Sequence, residues 1–396
     1  MSAAAKYPVA FTFVNDGKEW FGGLNYFRSL FLALQALPCS SVQPIAFIGM
    51  KADPLGYQFP SNVKVVRDGV FDRLSPKWVL NKLATKLLGM PWLANRALRR
   101  HGIELVSHGP PSQDAAIRTI AWIPDFQHLH LPQFFPPDEL RARGELYRQL
   151  VEHSTLVIVS SESARKDLQR FAPLFTDKAR VLRFCAVRPD VQASTEVDLC
   201  STYGLDVPYF YIPNQAWAHK NHVTAVRALA ELVNEWPGVK VVCSGSLADY
   251  RNPDHVAALR SEIAQRGLAD RFMLLGVIPY PHVAQLMLGA VAVVNPSLFE
   301  GWSTTVEEAK ALGVPLILSD IDVHREQCED GEATFFDPLV PSALANCMRS
   351  MLSAHRSNSL KADPRAALDR HRLRTAEFAL TYERIVAELR GTAQTA

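Results

Sequence analysis

The sequence predicts an α/β protein built from two doubly wound parallel sheets. Strand-like and helical patterns alternate along the chain, which is typical of parallel sheets covered by helices on both faces. These patterns form two series that meet near residues 188–208. A chain of 396 residues also exceeds one ordinary core, since a size of about 150 residues per domain gives two or three domains.

The first series begins with a strand-like run at 9–14, a glycine pair and a helical pattern at 24–37. Its later strand candidates are short apolar runs at 43–48, 63–66, 105–107, 117–122 and 155–160. Helical patterns lie between several of these runs. The order of strands and helices therefore predicts one parallel sheet in the first half of the chain.

The second series has a more regular alternation of strand and helix. Its strand candidates are 209–212, 239–244, 272–275, 291–295 and 315–319, and its helix candidates are 222–235, 253–266, 281–288 and 304–312. The segment between the two series lacks periodicity and contains prolines, which indicates a linker. We therefore predict a first domain at 1–190, a linker at 191–208, a second domain at 209–367 and a terminal helix at 368–396.

Composition excludes several classes of protein. The chain has 42 basic and 40 acidic residues, so its net charge of +2 argues against a general electrostatic nucleic-acid binder. Its longest apolar window, 283–294, is shorter than the ~20 residues of a membrane span, and no signal peptide is evident. The six cysteines are scattered without a CxxC pair, which indicates reduced thiols. We expect a soluble cytoplasmic protein without a zinc site.

Two glutamates flank the predicted start of a helix in the second domain. Glu300 falls in the loop after a strand, and Glu308 falls about one turn into the helix at 304–312. The unpaired backbone N–H groups between them would suit an anion, and the two carboxylates would suit hydroxyl groups on either side. From spacing alone, a helix cap and a solvated helix face explain this pair equally well.

Segment 296–315 resembles the E-x7-E segment of retaining glycosyltransferases of family 4, since Glu300 and Glu308 are separated by seven residues. The resemblance implies the GT-B fold, in which two Rossmann-like domains face each other across a cleft. It also implies that Glu300 contacts the donor sugar and Glu308 holds the ribose hydroxyls. The residues after Glu300 would line the donor: Gly301, Trp302, Ser303 and Thr304. Ser303 replaces the second glycine that is usual in the family.

A second segment, 211–221, supports the same resemblance. Lys220 matches the lysine that binds the donor diphosphate in the family, whereas Gln215 stands where an arginine is usual. A lysine at a strand–helix turn is a natural phosphate partner, although a single lysine is more often a solvated surface residue. By resemblance, the backbone of Val277 and Ile278 meets the nucleotide base.

The first domain resembles the acceptor domain of this family more loosely. The Gly22–Gly23 pair matches a glycine loop near the donor phosphates, although a tight turn also explains it. Asp125, His128 and Arg165 are the candidates for contact with the acceptor, and Asp125 is also a catalytic candidate. The histidine that precedes this aspartate in many members is Pro124 here, and polar loop residues are the alternative interpretation.

Segment 77–100 mixes basic residues with leucine and tryptophan. Such a basic amphipathic pattern is typical of helices that lie on anionic membranes. A helix pair packed on the sheet is the alternative interpretation of the same pattern.

The resemblance implies a retaining transferase that moves a mannose-like hexose from a nucleotide-diphosphate sugar to a glycan or lipid-linked acceptor. Bacterial surface polysaccharide or lipopolysaccharide synthesis is its expected setting, with peripheral contact with the inner membrane. We expect no cofactor, no metal requirement and no nucleic-acid partner. A GT-B nucleotide-sugar epimerase and a non-catalytic nucleotide-sugar-binding protein are the alternatives, whereas no G-x-G-x-x-G fingerprint supports an oxidoreductase.

Overall fold

The computed structural model describes residues 6–14, 21–189, 198–328, 331–357 and 364–391. Contacts divide the chain into two compact units. Unit 1 contains the described residues of 1–126, 141–187 and 373–396, and unit 2 contains those of 127–140 and 188–372.

Unit 1 is a seven-stranded parallel sheet with helices. Its strands have the order β3-β2-β1-β4-β5-β6-β7. They are β1 (Tyr7–Thr12), β2 (Val42–Ile48), β3 (Lys64–Arg67), β4 (Leu105–Ser107), β5 (Arg118–Ile123), β6 (Leu156–Val159) and β7 (Ala179–Val181). The helices that contribute to it are α1 (Phe21–Ala36), α2 (Pro54–Tyr57), α3 (Pro76–Leu88), α4 (Trp92–Arg100), most of α6 (Pro137–His153) and α7 (Glu162–Phe171).

Unit 2 is a six-stranded parallel sheet with the order β10-β9-β8-β11-β12-β13. Its strands are β8 (Tyr209–Ile212), β9 (Lys240–Cys243), β10 (Phe272–Leu274), β11 (Ala292–Asn295), β12 (Leu316–Ser319) and β13 (Thr334–Phe336). Its helices are α5 (Gln127–His130), α8 (Leu199–Tyr203), α9 (His222–Leu232), α10 (His255–Gln265), α11 (Tyr280–Gly289), α12 (Thr304–Leu312), α13 (Asp322–Gln327) and α14 (Pro341–Arg356). The last helix, α15 (Pro364–Gly391), contributes its residues from Leu373 onward to unit 1.

Both sheets have the strand order of a Rossmann fold, in which the chain winds outward from a central strand in both directions. The predicted fold class is therefore confirmed. In unit 2 the winding reverses between the neighbouring strands β8 and β11. Apolar side chains cover both faces of this sheet, and the central strands β8, β11 and β12 are fully buried. Ligands of such sheets bind beyond the carboxyl ends of the strands at this reversal.

The structure differs from the sequence predictions in several elements. The predicted elements omit β7, β13 and α14. Helix α1 begins at Phe21, so Gly22 and Gly23 lie in its first turn rather than in a loop. Residues 127–140 group with unit 2, although they fall inside the predicted first domain. Residues 191–197 of the predicted linker 191–208 lie outside the described residues, and the remainder contains the short helix α8.

Helix α3 lies at the periphery of unit 1. None of its residues is buried, and it contacts α4 and the turn at Gly69–Phe71. Asn81 on α3 accepts hydrogen bonds from the backbone N–H groups of Leu93 and Ala94, which caps the start of α4. Helices α3 and α4 therefore form a pair in which Ala97 and Leu98 of α4 belong to the core and α3 is the outer member. Within the described ranges, no helix has the length and apolar character that crossing a bilayer requires.

Candidate functional site

The candidate site lies at the carboxyl edge of the unit 2 sheet. Strand β8 leads into residues 213–221, and the neighbouring strand β11 leads into residues 296–303. The two loops are joined by a hydrogen bond from the Leu298 backbone N–H to the His219 carbonyl, 2.8 Å long. Because both strands are parallel and adjacent, the polar residues that follow them come together at one edge.

Lys220 and Glu300 form an ion pair between these loops. The Lys220 Nζ lies 2.6 Å from the Glu300 Oε1, and the two side chains are only 18% and 9% exposed. Ser297 Oγ at 2.7 Å and Asn295 Nδ2 at 3.3 Å also lie within hydrogen-bond distance of this oxygen. Burial alone would raise the pKa of the Glu300 carboxyl, but the neighbouring Lys220 charge prevails and lowers it to about 2. Glu300 is therefore ionised at neutral pH.

A network of hydrogen bonds from buried amide side chains surrounds this ion pair. Asn295 is fully buried, and its Nδ2 donates to Ser303 Oγ at 2.9 Å as well as to Glu300. Its Oδ1 accepts from Asn214 Nδ2 at 3.2 Å, and Asn214 Oδ1 accepts from Thr305 Oγ1 at 3.0 Å. The network fixes the Glu300 carboxylate against both strand ends, because each member is held on two sides.

The N-terminus of α12 lies between the two predicted glutamates. Ser303 is its N-cap, since Ser303 Oγ accepts a hydrogen bond from the Val306 backbone N–H at 3.4 Å. Gln327 holds this cap, since it accepts from the Ser303 N–H at 3.2 Å and donates to the Ser303 carbonyl at 2.8 Å. The positive end of the helix dipole therefore lies beside the Lys220–Glu300 pair.

Glu308 occupies the next turn of α12 and is almost fully buried. The Tyr280 hydroxyl donates to Glu308 Oε1 at 2.9 Å. Burial raises the pKa of the Glu308 carboxyl to about 7, and the hydrogen bond from Tyr280 offsets this only in part. Glu308 therefore titrates near neutral pH, where Glu300 is ionised.

Asp249 and Gly245 hold the loop that carries Lys220. The buried Asp249 carboxylate accepts from the Ala218 backbone N–H at 2.9 Å, and Trp217 Nε1 donates to the Ala248 carbonyl at 3.1 Å. At Gly245 a Cβ atom would lie 2.8 Å from the Gln215 backbone nitrogen, and φ is +131°. Only glycine allows the two loops to approach so closely.

Arg251 packs on the same loop. Its guanidinium lies 4.7 Å from the Trp217 ring centroid and 4.2 Å from the Phe135 ring centroid. It also donates to Gln127 Oε1 at 3.1 Å and lies 3.3 Å from Glu139 Oε1. Arg251 therefore joins residues 127–140 to the Lys220 loop within unit 2.

The structure brings together Lys220, Glu300, Glu308 and the α12 N-terminus as predicted. Gln215 is exposed on the Lys220 loop, Val277 is exposed, and Ile278 packs against the core. Gly301 and Trp302 are partly exposed in the loop before α12, whose first residue is Thr304.

The candidates for contact with the acceptor have hydrogen-bond and ion-pair partners outside the Lys220–Glu300 cluster. Asp125 and Arg165 belong to unit 1, where Asp125 lies 3.5 Å from Arg143 and Arg165 lies 2.6 Å from Glu162. His128 is buried in α5 of unit 2, so it does not group with Asp125 in one unit. In the described part of the chain, no three His, Cys, Asp or Glu side chains form a set of metal ligands.

Sequence reasoning missed Asn295, Gln327, Tyr280, Asp249 and Arg251. Asn295 is the last residue of a buried strand, and a polar side chain at that position was a usable signal. The other four reach the site from segments 20 or more residues away along the chain, so local patterns contain no sign of them.

The known proteins that this chain resembles in sequence are glycosyltransferases. Residues 205–365 match the family described as glycosyl transferases group 1. The O-antigen chain mannosyltransferase RfbU of Salmonella typhimurium is 26% identical over 130 residues. That match covers 33% of this chain and 34% of RfbU, so it spans about a third of either protein.

Solved structures with similar folds cover nearly the whole chain. Sucrose-phosphate synthase from Thermosynechococcus elongatus has a TM-score of 0.67 at 18% identity and covers 98% of this chain and 100% of its own. Anabaena HepE, solved with UDP and glucose, has the same TM-score, identity and coverage. WaaG, a glycosyltransferase involved in lipopolysaccharide biosynthesis, has a TM-score of 0.61 at 14% identity, with coverage of 94% and 95%.

At this low identity the structural matches show the fold, which is that of GT-B proteins. The family match is more specific, because it covers the segment that contains Lys220, Glu300 and Glu308. The match to glycosyl transferases group 1 is limited to residues 205–365 of this chain.

Proposed function

We propose that this protein is a retaining glycosyltransferase of family 4 that transfers a hexose from a nucleotide-diphosphate sugar. The observation that carries the proposal is the Lys220–Glu300 ion pair beside the N-terminus of α12, with Glu308 one turn further along. This arrangement combines one cation, one helix N-terminus and two carboxylates. Those groups match the parts of a nucleotide-diphosphate sugar, which has an anion between two hydroxyl-bearing sugars.

The diphosphate would bind at Lys220 and the α12 N-terminus. A lysine ammonium has three N–H donors, so its bond to Glu300 leaves capacity for phosphate oxygens. Charge develops on the diphosphate as it leaves, and preorganised donors stabilise this charge most effectively in a site with little water. We therefore assign Lys220 to the leaving group and expect no metal requirement. Full turnover in the presence of a chelator is the expected result.

The two glutamates would bind the two sugars. Glu300 is ionised and held by three donors, so it is a rigid acceptor for hydroxyl groups of the transferred hexose. Glu308 would accept hydrogen bonds from the ribose hydroxyls, and Tyr280 then has to share this carboxylate or release it. The backbone of Val277 and Ile278 remains our assignment for the nucleotide base, and Gln215 and residues 301–304 complete the donor contacts.

In the proposed reaction an acceptor hydroxyl attacks the anomeric carbon on the face from which the diphosphate leaves. The new C–O bond forms as the bond from the anomeric carbon to the diphosphate breaks, and the acceptor proton passes to a departing phosphate oxygen. This front-face course retains the anomeric configuration and requires no protein nucleophile. Unit 2 provides most of the donor site, Gly22 and Gly23 are candidates for contact with the donor phosphates, and Asp125, His128 and Arg165 are the candidates for the acceptor side.

The biological setting is proposed from the relatives. RfbU is a mannosyltransferase of the O-antigen chain, which supports mannose and bacterial surface polysaccharide as the class of product. HepE was solved with UDP and glucose, so UDP-sugars are equal candidates for the donor. We propose a glycan or lipid-linked acceptor, a cytoplasmic location and peripheral contact with the inner membrane, where such acceptors occur.

Nucleotide binding tests this proposal. Thermal unfolding of the purified protein should be measured with GDP, UDP, dTDP, ADP and NAD, for the unsubstituted protein and Glu308→Ala. A matched control is Glu235→Ala, which removes an exposed carboxylate of unit 2 that pairs with Arg349. We expect one nucleoside diphosphate to raise the unfolding temperature, and only Glu308→Ala to abolish this shift. A shift with NAD alone, or one that Glu308→Ala preserves, would contradict the proposed site.

The alternatives differ in the step after nucleotide-sugar binding. An epimerase would convert the nucleotide sugar into its epimer without releasing the nucleoside diphosphate. A non-catalytic binding protein would give the thermal shift and leave the donor intact. The presence of Lys220 at the proposed leaving group favours transfer over both.

A further inference from the structure

We propose that α3, together with the basic residues of α4, docks unit 1 onto an anionic lipid bilayer. This inference names the surface that would make the membrane contact in the proposed function. It rests on a different part of the molecule from the donor site, so the membrane proposal can be wrong while the proposed function is right, and the reverse.

Helix α3 exposes a continuous apolar stripe. Leu80, Leu83 and Leu87 are 57%, 51% and 81% exposed, and Val79 beside them is 40% exposed. At about 100° per residue these four side chains occupy one face of the helix, within an arc of about 100°. Single exposed leucines are ordinary, but a whole helix face of them indicates a surface that is covered in use. Leu88 and Trp92 extend the exposed apolar surface toward α4.

Basic residues predominate in the segment that contains this stripe. Residues 73–100 contain seven basic residues and no acidic residue: Arg73, Lys77, Lys82, Lys86, Arg96, Arg99 and Arg100. On the helix, Lys82 and Lys86 lie along one border of the stripe, and Lys77 lies along the other. Basic residues on both sides of an apolar face are typical of helices that lie at the interface of an anionic membrane.

A basic groove lies next to the helix. It has a volume of about 310 Å³ and is lined by Asp68, Val70, Lys77, Leu93, Arg96, Ala97 and Arg100. Lys77 spans it to Asp68 at 3.2 Å, so the groove presents mainly guanidinium groups. Guanidinium groups bind phosphate oxygens in pairs, which suits a lipid headgroup when the stripe is inserted.

Charge argues for a bilayer rather than a second copy of this chain. A symmetric dimer through this face would oppose two sets of basic residues, since neither α3 nor α4 contains an acidic residue. A nucleic acid would use the basic residues but would leave the leucine stripe in water. An anionic bilayer accommodates both, because its headgroups attract the cations and its acyl chains accept the leucines.

Vesicle binding tests the inference with the full-length protein and no nucleotide. Sedimentation should be measured with vesicles of phosphatidylcholine and with an equal mixture of phosphatidylcholine and phosphatidylglycerol. The variants are Leu83→Ser/Leu87→Ser for the stripe and Lys82→Gln/Lys86→Gln for its border. The matched control is Leu174→Ser/Leu373→Ser, which removes two leucines that are 88% and 71% exposed elsewhere in unit 1.

We expect binding to the mixed vesicles that weakens as salt rises. The stripe variant should bind about tenfold more weakly, the lysine variant should lose its preference for phosphatidylglycerol, and the control should bind like the unsubstituted protein. Equal binding by all four proteins, or no binding by the unsubstituted protein, would overturn the inference. A dimer in solution that only the stripe variant dissociates would also overturn it, because the face would then be an interface between copies. If the stripe variant unfolds, the lysine variant still tests the inference through its preference for phosphatidylglycerol.

Discussion

Lys220 Nζ lies 2.6 Å from Glu300 Oε1, although 80 residues separate the two in the chain. The pair joins the loops after β8 and β11 and is largely shielded from water. A buried carboxylate requires such a partner, because an isolated charge in this position would be costly. The same pair places a cation and an ionised acceptor side by side at the start of α12. It therefore has two roles that mutation can separate: it stabilises the fold, and it is proposed to act in catalysis.

Lys220→Met should lower both stability and turnover. It leaves Glu300 buried without its counter-charge, which raises the pKa of Glu300 and costs about 3 kcal/mol of unfolding free energy. Turnover should fall by roughly 10²–10³-fold, since the leaving diphosphate loses a preorganised cation. Denaturant unfolding and release of nucleoside diphosphate measure the two effects.

The double variant Lys220→Met/Glu300→Gln separates these effects. It removes both charges, so it should recover most of the lost stability while turnover stays low. Recovery of turnover along with stability would mean that Lys220 acts only on the fold.

Glu308 should make nucleotide affinity depend on pH. Its pKa is raised to about 7, and the ionised form is the better acceptor for ribose hydroxyls, so affinity should rise as pH increases through 7. The terminal phosphate of the nucleotide titrates with a pKa of about 6, so the comparison with Glu308→Gln isolates the protein group. Titration calorimetry between pH 6 and about 8 is the measurement. The same slope in both proteins would exclude Glu308 as the cause.

The pH dependence that Glu308 gives to protein stability should have the opposite sign to its effect on nucleotide affinity. Its folded-state pKa lies above the ordinary value of 4.5, so the folded protein holds the proton more tightly than the unfolded chain. The free energy of unfolding should therefore fall as pH rises from about 4.5 to about 7, and Glu308→Gln should remove this part of the decline. Denaturant titrations across this range, with Glu235→Gln as a surface control, test the sign.

Gln215→Arg should strengthen the binding of nucleoside diphosphates. Gln215 is exposed on the loop that carries Lys220, and a guanidinium there adds one charge-assisted hydrogen bond to phosphate. Such a bond is worth ~1.5 kcal/mol, or about tenfold in affinity. The free nucleoside should show no gain, and Gln215→Met should weaken binding slightly. An equal gain for nucleoside and diphosphate would contradict a phosphate position beside Gln215.

Asn295→Asp should destabilise unit 2 despite its nearly identical shape. The substitution replaces a donor to Glu300 with a second carboxylate, 3.3 Å from the first at the position of Nδ2. Like charges at this distance disfavour ionisation of both, so about 3 kcal/mol should be lost at pH 7 and partly regained in acid. Asn295→Ala is the neutral control, and a pH-independent loss in both variants would contradict the electrostatic explanation.

Lys220, Glu300 and Glu308 were predicted from the family resemblance together with local patterns. Lys220 and Glu300 lie in loops that follow buried parallel strands, and Glu308 lies one turn into the next helix, so the fold brings their segments to one edge of the sheet. The amides and aromatic groups that hold them were not accessible in this way. Gln327 and Tyr280 reach α12 from 24 and 28 residues away, and only the tertiary fold determines those contacts.

The same distinction applies to the fold. Most apolar strands were predicted within a few residues. The three-residue strands β7 and β13 were missed, since they lie at sheet edges, are partly exposed and contain the polar residues Arg180 and Thr334. Helix α14 was missed although Leu344, Met348 and Leu352 repeat at four-residue spacing, which is a usable helical signal. Residues 127–140 join unit 2 through Arg251, and no change of composition marks that boundary.

Donor turnover tests the central claim most directly. The purified protein should be incubated with GDP-mannose, UDP-glucose and dTDP-glucose, with release of nucleoside diphosphate followed over time and the anomer of the freed sugar identified by NMR. We predict slow release from one donor class with retained configuration, and a loss of roughly 10²-fold or more in Glu300→Gln and Lys220→Met. Nucleotide binding without any release, epimerisation of the intact donor, or undiminished release in both variants would contradict the proposed transferase site.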